Sequence, residues 1–154
     1  MSKLHEIYMR EALKEAQKAF AKDEVPVGCV IVHKGKIIAR AHNQVELLND
    51  PTAHAEMIAL TSTASYLNSK WLNGVSLYAT IEPCSMCTGA MVLARIKNLI
   101  YGASDPKTGA CGSVTNIVNN KKLNHRIKVT KGVLKEDCAD LLKEFFRSKR
   151  SKRK

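Results

Sequence analysis

No stretch of this sequence stays apolar for long. The longest uninterrupted run, Val25 to Val32, has eight residues, far short of the ~20 that a helix needs to cross a bilayer. The first residues mix Lys3, His5, Glu6, Arg10 and Glu11 with apolar neighbours, so the apolar block of a secretory signal is missing. These absences exclude a membrane-spanning helix and lead to the expectation of a cytoplasmic protein with no membrane partner. Internal repeats are also absent. Acid is missing from the last eight residues, where Arg147, Lys149, Arg150, Lys152, Arg153 and Lys154 supply six positive charges.

What is present is an ordinary globular composition. With 154 residues, 45% of them apolar and 25% charged, the chain is long enough for one domain with its own core. We read residues 1–146 as that domain and 147–154 as a basic C-terminal tail. With a formal net charge of +11, such a tail either stays solvated and frayed or meets a polyanion such as nucleic acid. Charge alone does not choose. Five cysteines that include one Cys-x-x-Cys pair point to metal or redox chemistry before disulfides.

Apolar spacing places the elements. Met9, Leu13, Ala16 and Phe20 predict a helix over 4–21. Val25–Val32 and Lys36–His42 predict an antiparallel hairpin turned at His33-Lys34-Gly35. After a loop over 43–51, Pro51 suits a helix entry, and Ala53, Met57, Leu60 and Ala64 carry that helix through His54. Ser76–Ile81 predicts a strand, Cys84–Ile96 a helix, Leu99–Ala103 a strand and 104–112 a loop. Ser113–Asn124 is ambiguous, with room for one short helix. Arg126–Thr130 predicts a fifth strand, and Val133–Lys149 a last helix with Leu134, Cys138, Leu141 and Phe145 at core spacing. This alternation describes an α/β sandwich whose later strands are mostly parallel. The ends of the second, third and fourth strands would then share one edge, where open α/β sheets bind ligands.

Two short stretches about thirty residues apart carry the chemistry, His54-Ala55-Glu56 and Pro83-Cys84-Ser85-Met86-Cys87. On a helix Cys84 and Cys87 share a face, and free N–H groups near a helix start favour thiolate. With His54 they give three ligands, the count that leaves a coordination position open in catalytic zinc sites. His54 and Glu56 are two residues apart and point about 200° from each other inside a helix. They converge on one ion only if the helix begins within a few residues of His54. A closed structural site would need a fourth ligand. Cys111, Cys29, Cys138 and His42 are the candidates, but none forms a second closely spaced pair. Cys29 and Cys138 fall on core faces, and Cys111 sits in a loop beside the presumed site. A redox role for Cys84 and Cys87 would leave His54 and Glu56 without a task.

His-x-Glu followed by Pro-Cys-x-x-Cys is a signature of zinc nucleobase deaminases. Further matches run in order through Pro26-Val27-Gly28, Asn43, Asp50-Pro51-Thr52-Ala53-His54-Ala55-Glu56 and Glu82-Pro83-Cys84-Ser85-Met86-Cys87. They continue in Asp105-Pro106-Lys107-Thr108-Gly109, Asn124-His125-Arg126 and Phe145-Phe146-Arg147. Over nearly its whole length the sequence resembles the bacterial tRNA adenosine deaminases. The zinc motifs alone mark the wider cytidine deaminase-like superfamily; the Asp105–Gly109 loop and the Phe-Phe-Arg helix narrow it to tRNA.

The resemblance implies a three-layer α/β/α cytidine deaminase-like sandwich on a five-stranded mixed sheet, and a homodimer. It implies one Zn²⁺ per subunit on His54, Cys84 and Cys87, Glu56 as the proton shuttle, and contacts to the base from Asn43 and the Ala55 backbone. The implied reaction is hydrolysis of adenosine to inosine at the wobble position of a tRNA anticodon stem-loop. Lys107 and Arg147 are expected at phosphates. Asp105 is expected either at a ribose 2′-hydroxyl or as a turn former. Phe146 is read either as a core residue or as a stacking platform. Cys111 departs from the family pattern and bears on loop packing. Two rival readings are a deaminase of a free base or nucleoside, such as cytosine or guanine, and a zinc-stabilised RNA-binding module without catalysis.

Overall fold

Ser2 starts the first helix by accepting the N–H groups of Leu4 and His5 at 3.1 and 3.3 Å, donors that a helix start leaves free. In the computed structural model, which describes residues 2–152, helix α1 spans Lys3–Ala21. Its buried apolar stripe is Met9, Ala12, Ala16 and Ala19, rotated from the predicted one, with Leu13 and Phe20 only half-buried on its flank. Close packing is the cause. The small alanines bring α1 against Gly28, where a Cβ would lie 1.9 Å from the Ala12 carbonyl oxygen and 2.5 Å from the Ala16 nitrogen.

Strands β1 (Gly28–His33) and β2 (Lys36–His42) form the expected hairpin. It turns through Lys34 and Gly35, both at positive φ. The first strand opens three residues later than predicted, because the Val27 N–H turns back to the Val25 carbonyl at 2.8 Å around Pro26, and proline has no N–H to give a ladder. β3 (Ser76–Ile81) pairs antiparallel with β1. β4 (Asn98–Ala103) and β5 (Lys128–Lys131) then add in parallel, giving the order β2-β1-β3-β4-β5. Helices α3 (Ala55–Leu67) and α4 (Ser85–Ala94) pack Ala59, Leu60, Cys87 and Met91 onto one face of the sheet. Helix α1 and helix α5 (Lys135–Lys152) close the other with Met9, Ala12 and Cys138. The result is the three-layer α/β/α sandwich on a mixed five-stranded sheet.

Three local expectations are corrected. The loop after β2 contains a short helix, α2 (Val45–Leu48). Ser113–Asn124 contains turns and bridge residues rather than a helix. Finally, α5 does not stop at Lys149; residues 147–152 continue it as regular helix, and Arg153 and Lys154 lie outside the described residues. Glu136 and Asp137 in its first turn and Lys149, Arg150 and Lys152 in its last both complement the helix dipole.

The register brings the carboxyl ends of β2, β3 and β4 to one edge. Gly28 opposes His42, Cys29 opposes Ala79, and Ile81 lies beside Ala103. Segments leaving that edge therefore meet one another.

Gly28→Ala is expected to lose at least ~2 kcal/mol of stability through the forced displacement of α1. Gly89→Ala is the control: a Cβ in this α4 position meets nothing within 4 Å, so it should gain ~0.5–1 kcal/mol from helix propensity. Urea midpoints measured side by side give both signs.

Candidate active site

Two helices begin at this edge, and each begins just after one of the candidate metal-binding residues, His54 and Cys84. Pro51 is not a helix entry: Asp50 Oδ1 accepts the Thr52 N–H and hydroxyl at 2.8 and 2.7 Å, closing a turn. His54 follows as the N-cap of α3, in extended backbone with φ −74° and ψ 149°. Cys84 is the N-cap of α4 with φ −78° and ψ 176°, and Cys87 lies in its first turn. Being at the tip rather than inside a helix releases His54 and Glu56 from the divergence that their two-residue spacing imposes. Both reach the same space.

The Cys84 and Cys87 sulfurs each lie 3.6 Å from His54 Nδ1, and the three donor atoms fall within 4.8 Å of one another. Zinc bonds of about 2.0–2.1 Å to nitrogen and about 2.3 Å to sulfur, at tetrahedral angles, separate the two donors by about 3.5–3.6 Å. The donor set fits a zinc ion. Among the described residues no fourth histidine, cysteine or carboxylate joins the group. Cys29 and Cys138 are buried in the core, and His42 Nδ1 faces Glu15 at 3.4 Å. A hydrogen bond from Cys87 pulls the Cys84 thiol down to about 4, with His54 adding to it, while the same bond pushes Cys87 up. The hydrogen bond to Cys84 likewise raises the His54 imidazole. The trio is a crowd of soft donors sharing protons that a divalent cation replaces.

Glu56 sits behind them, 4% exposed, with Oε1 buried and without a hydrogen-bond partner. Burial pushes its carboxyl up to about 7, the range suited to moving a proton at neutral pH. Asn43 Oδ1 accepts the Ala55 N–H at 3.1 Å. That bond fixes the amide orientation and leaves the Asn43 NH₂ group as a free donor. It also engages the N–H of Ala55, a residue fully buried beside the cavity floor.

A cavity of about 1180 Å³ opens over these groups, lined by His54, Glu56, Cys84, Asn43, Asp105, Lys107, Thr108 and Phe146 among others. The paired phenylalanines divide their roles. Phe145 is 5% exposed and packs edge-on against Phe20, whereas Phe146 is 44% exposed; both border the cavity, Phe146 with the larger open surface. Arg147 does not line it and pairs with Glu144 on the outer surface. Lys149 and Arg150, two and three residues later, are the cations that α5 adds to the wall beside Lys107 and Lys22. Lys149 also bridges to Asp23 at 2.6 Å. Asp105 is a turn former: Oδ1 accepts the N–H groups of Lys107 and Thr108, and Oδ2 the Thr108 hydroxyl.

Three buried acids had no role in the sequence reading; Glu15 pairs with Lys18 and faces His42, and the other two tie loops. Glu24 accepts the N–H groups of Glu46 and Leu47 at 3.0 and 2.8 Å, capping α2 from another segment. Glu82 accepts from the backbone of Asp105, Cys111 and Ser113 and from the Ser113 hydroxyl. Burial works to raise the Glu82 carboxyl, but the Ser113 hydroxyl and the three backbone donors outweigh it and hold it below the ordinary value. The available signal was an acid placed directly after the apolar run of β3.

Comparison with known proteins agrees with this geometry. The MafB19-like deaminase family model matches residues 3–150. The chain is 47% identical over 149 residues to the tRNA-specific adenosine deaminase of Bacillus subtilis (strain 168), covering 97% of this chain and 92% of that one. It is 50% identical over 146 residues to the tRNA-specific adenosine deaminase of Aquifex aeolicus (strain VF5), covering 95% and 96%. Among solved structures, a tRNA:A34 deaminase studied for A-to-I editing at the wobble position superposes with a TM-score of 0.85 at 41% identity, covering 88% of this chain and 98% of that one. A guanine deaminase from Nitrosomonas europaea superposes with a TM-score of 0.77 at 25% identity, covering 91% and 83%.

Cys84→Ala and Cys87→Ala should each lower bound zinc from about one ion per chain to well under half, because structural affinity falls by orders of magnitude with a lost thiolate. Cys111→Ala should leave the content unchanged. Elemental analysis of the purified proteins reads all three, and zinc loss in the Cys111 variant would contradict a three-residue site.

Proposed function

We propose, on the premise that this chain belongs to the tRNA-specific adenosine deaminase family, that one zinc ion per subunit sits on His54, Cys84 and Cys87 and serves deamination at a tRNA anticodon loop. The chain converts adenosine to inosine at the wobble position. The observation that carries the site assignment is the three-donor cluster beside a buried, unpartnered Glu56 at the floor of a large cavity. When bound there, zinc supplies a Lewis acid that lowers the pKa of water from 15.7 toward about 7.

The chain's own residues do the rest. Glu56 accepts a proton from the attacking water and delivers it to N1 of adenine as the new C6–O bond forms. It then moves the remaining proton of the C6 hydroxyl to the exocyclic amine, the C6–N bond breaks as the C6–O bond becomes a carbonyl, and ammonia leaves inosine behind. Asn43 offers its NH₂ group to an acceptor of the base. Extruding the base from its stack costs a few kcal/mol, least in a single-stranded loop. Phe146, Lys107, Lys149 and Arg150 on the cavity wall supply stacking and phosphate contacts that offset it. Arg147, facing outward, is assigned to phosphates beyond the cavity.

The homodimer is part of the same proposal. Tyr66, Trp71 and Leu93 are exposed on the ends of α3 and α4 and on the connection between them, a surface suited to a second subunit. The cytoplasm, where tRNA is handled, is its proposed site of action. Incubating pure protein with an anticodon stem-loop, and in parallel with free adenosine, guanine and cytosine, separates the RNA reading from a free-base deaminase. Inosine is expected in the stem-loop, with little ammonia from the free compounds.

Glu56→Ala should keep its zinc and lose about 10²–10⁴ in kcat; turnover within tenfold of wild type would remove Glu56 from proton transfer. Lys107→Ala should weaken stem-loop binding and shallow the slope of log affinity against log salt by ~0.7. An unchanged slope would take Lys107 off the phosphates.

A further inference from the structure

Between β4 and residue 113 the chain makes a loop with little to hold it. Ser104, Pro106, Lys107 and Thr108 are all exposed, and apolar burial enters at the far end with Ala110, so hydrogen bonds set the shape of the exposed part. Its fixed points converge on one carboxylate. Glu82 is 3% exposed; Oε1 accepts the Asp105 N–H at 3.1 Å and the Ser113 hydroxyl, while Oε2 accepts the N–H groups of Cys111 and Ser113 at 2.9 and 3.2 Å. These donors come from both ends of the loop, so one side chain closes it like a clasp. The approach is close enough to dictate Gly109, where a Cβ would lie 2.4 Å from the Glu82 carboxyl carbon. The same strand continues through Pro83, whose carbonyl accepts the Ala110 N–H at 2.9 Å, into the metal ligand Cys84.

We infer that Glu82 is a positioning residue for substrate binding: its carboxylate holds the 105–113 loop in the shape that presents Lys107 and Thr108 to the RNA. The inference rests on the proposed reading of that loop as an RNA contact. Charged acceptors make the stronger hydrogen bonds, and a buried one that loses its donors, or donors that lose it, are costly. Glutamine keeps the size of Glu82 but turns an NH₂ group toward N–H donors, so Glu82→Gln frees the loop without opening a cavity. Ser113→Ala removes one donor of the four and acts in the same direction, more weakly.

The test uses zinc-loaded full-length protein and an anticodon stem-loop. Expected for Glu82→Gln are unchanged zinc content and amide exchange at Asp105, Cys111 and Ser113 faster by about tenfold or more. KM should rise by about tenfold, with kcat within roughly threefold of wild type. Ser113→Ala should show smaller changes of the same kind, and keeps the test open if Glu82→Gln does not fold. Zinc loss in Glu82→Gln, a fall in kcat at unchanged KM, or loosened amides at unchanged KM would each overturn the inference. So would Ser113→Ala that moves neither amides nor KM. Lys107→Ala run alongside distinguishes the failures. If it raises KM and Glu82→Gln does not, Glu82 is wrong and the loop reading stands; if neither does, the loop reading falls and takes the inference with it.

Discussion

The site depends on a crowding that the fold enforces. An imidazole nitrogen is held 3.6 Å from each of two thiol sulfurs, with a desolvated carboxyl behind them. Left to themselves these groups compete for the same protons, which is why one sulfur is pulled down and the other pushed up. A dication ends that competition, and three donors leave it a position to spare. Everything else in the chain serves to keep this crowd together. Two helices start at the same sheet edge with His54 on one cap and Cys84 on the other, and the close α1–Gly28 packing sets the hairpin that supplies Asn43 to the first of those starts.

The buried acids sort by how they are satisfied. Glu24 and Glu82 have their oxygens filled by backbone N–H groups from segments distant in sequence, and so act as ties between loops. Glu56 keeps an oxygen unpartnered and pays for it in desolvation. A protein tolerates such an orphan where chemistry uses it. The contrast, drawn within one chain and at one sheet edge, separates the acid that moves protons from the acids that hold structure.

Most of the architecture was legible because apolar period and turn residues agree with the final packing. β2 and β3 fall where their alternation and apolar run put them, and the convergence of His54, Cys84 and Cys87 was readable from spacing. What escaped the sequence was non-local. Pro51 looked like a helix entry, but Asp50 closes a turn over Thr52 and delays the helix to Ala55, and this delay is what lets His54 and Glu56 converge. Helix α2 has four residues and owes its cap to Glu24, some twenty positions earlier, which no local pattern reveals. Arg147 carried the family motif, yet helical phase turns it outward and brings Lys149 and Arg150 to the cavity. Residues 147–152 of the expected tail are the end of a helix because the acidic start and basic finish of α5 both favour it.

The central claim is a metal held by one nitrogen and two sulfurs with its remaining position open to solvent. X-ray absorption at the zinc edge of the purified protein tests it directly. The account predicts two sulfur scatterers at about 2.3 Å and two lighter atoms at about 2.0 Å, one of them exchangeable. A third sulfur, or a shell of four protein donors that no small ligand perturbs, would contradict it.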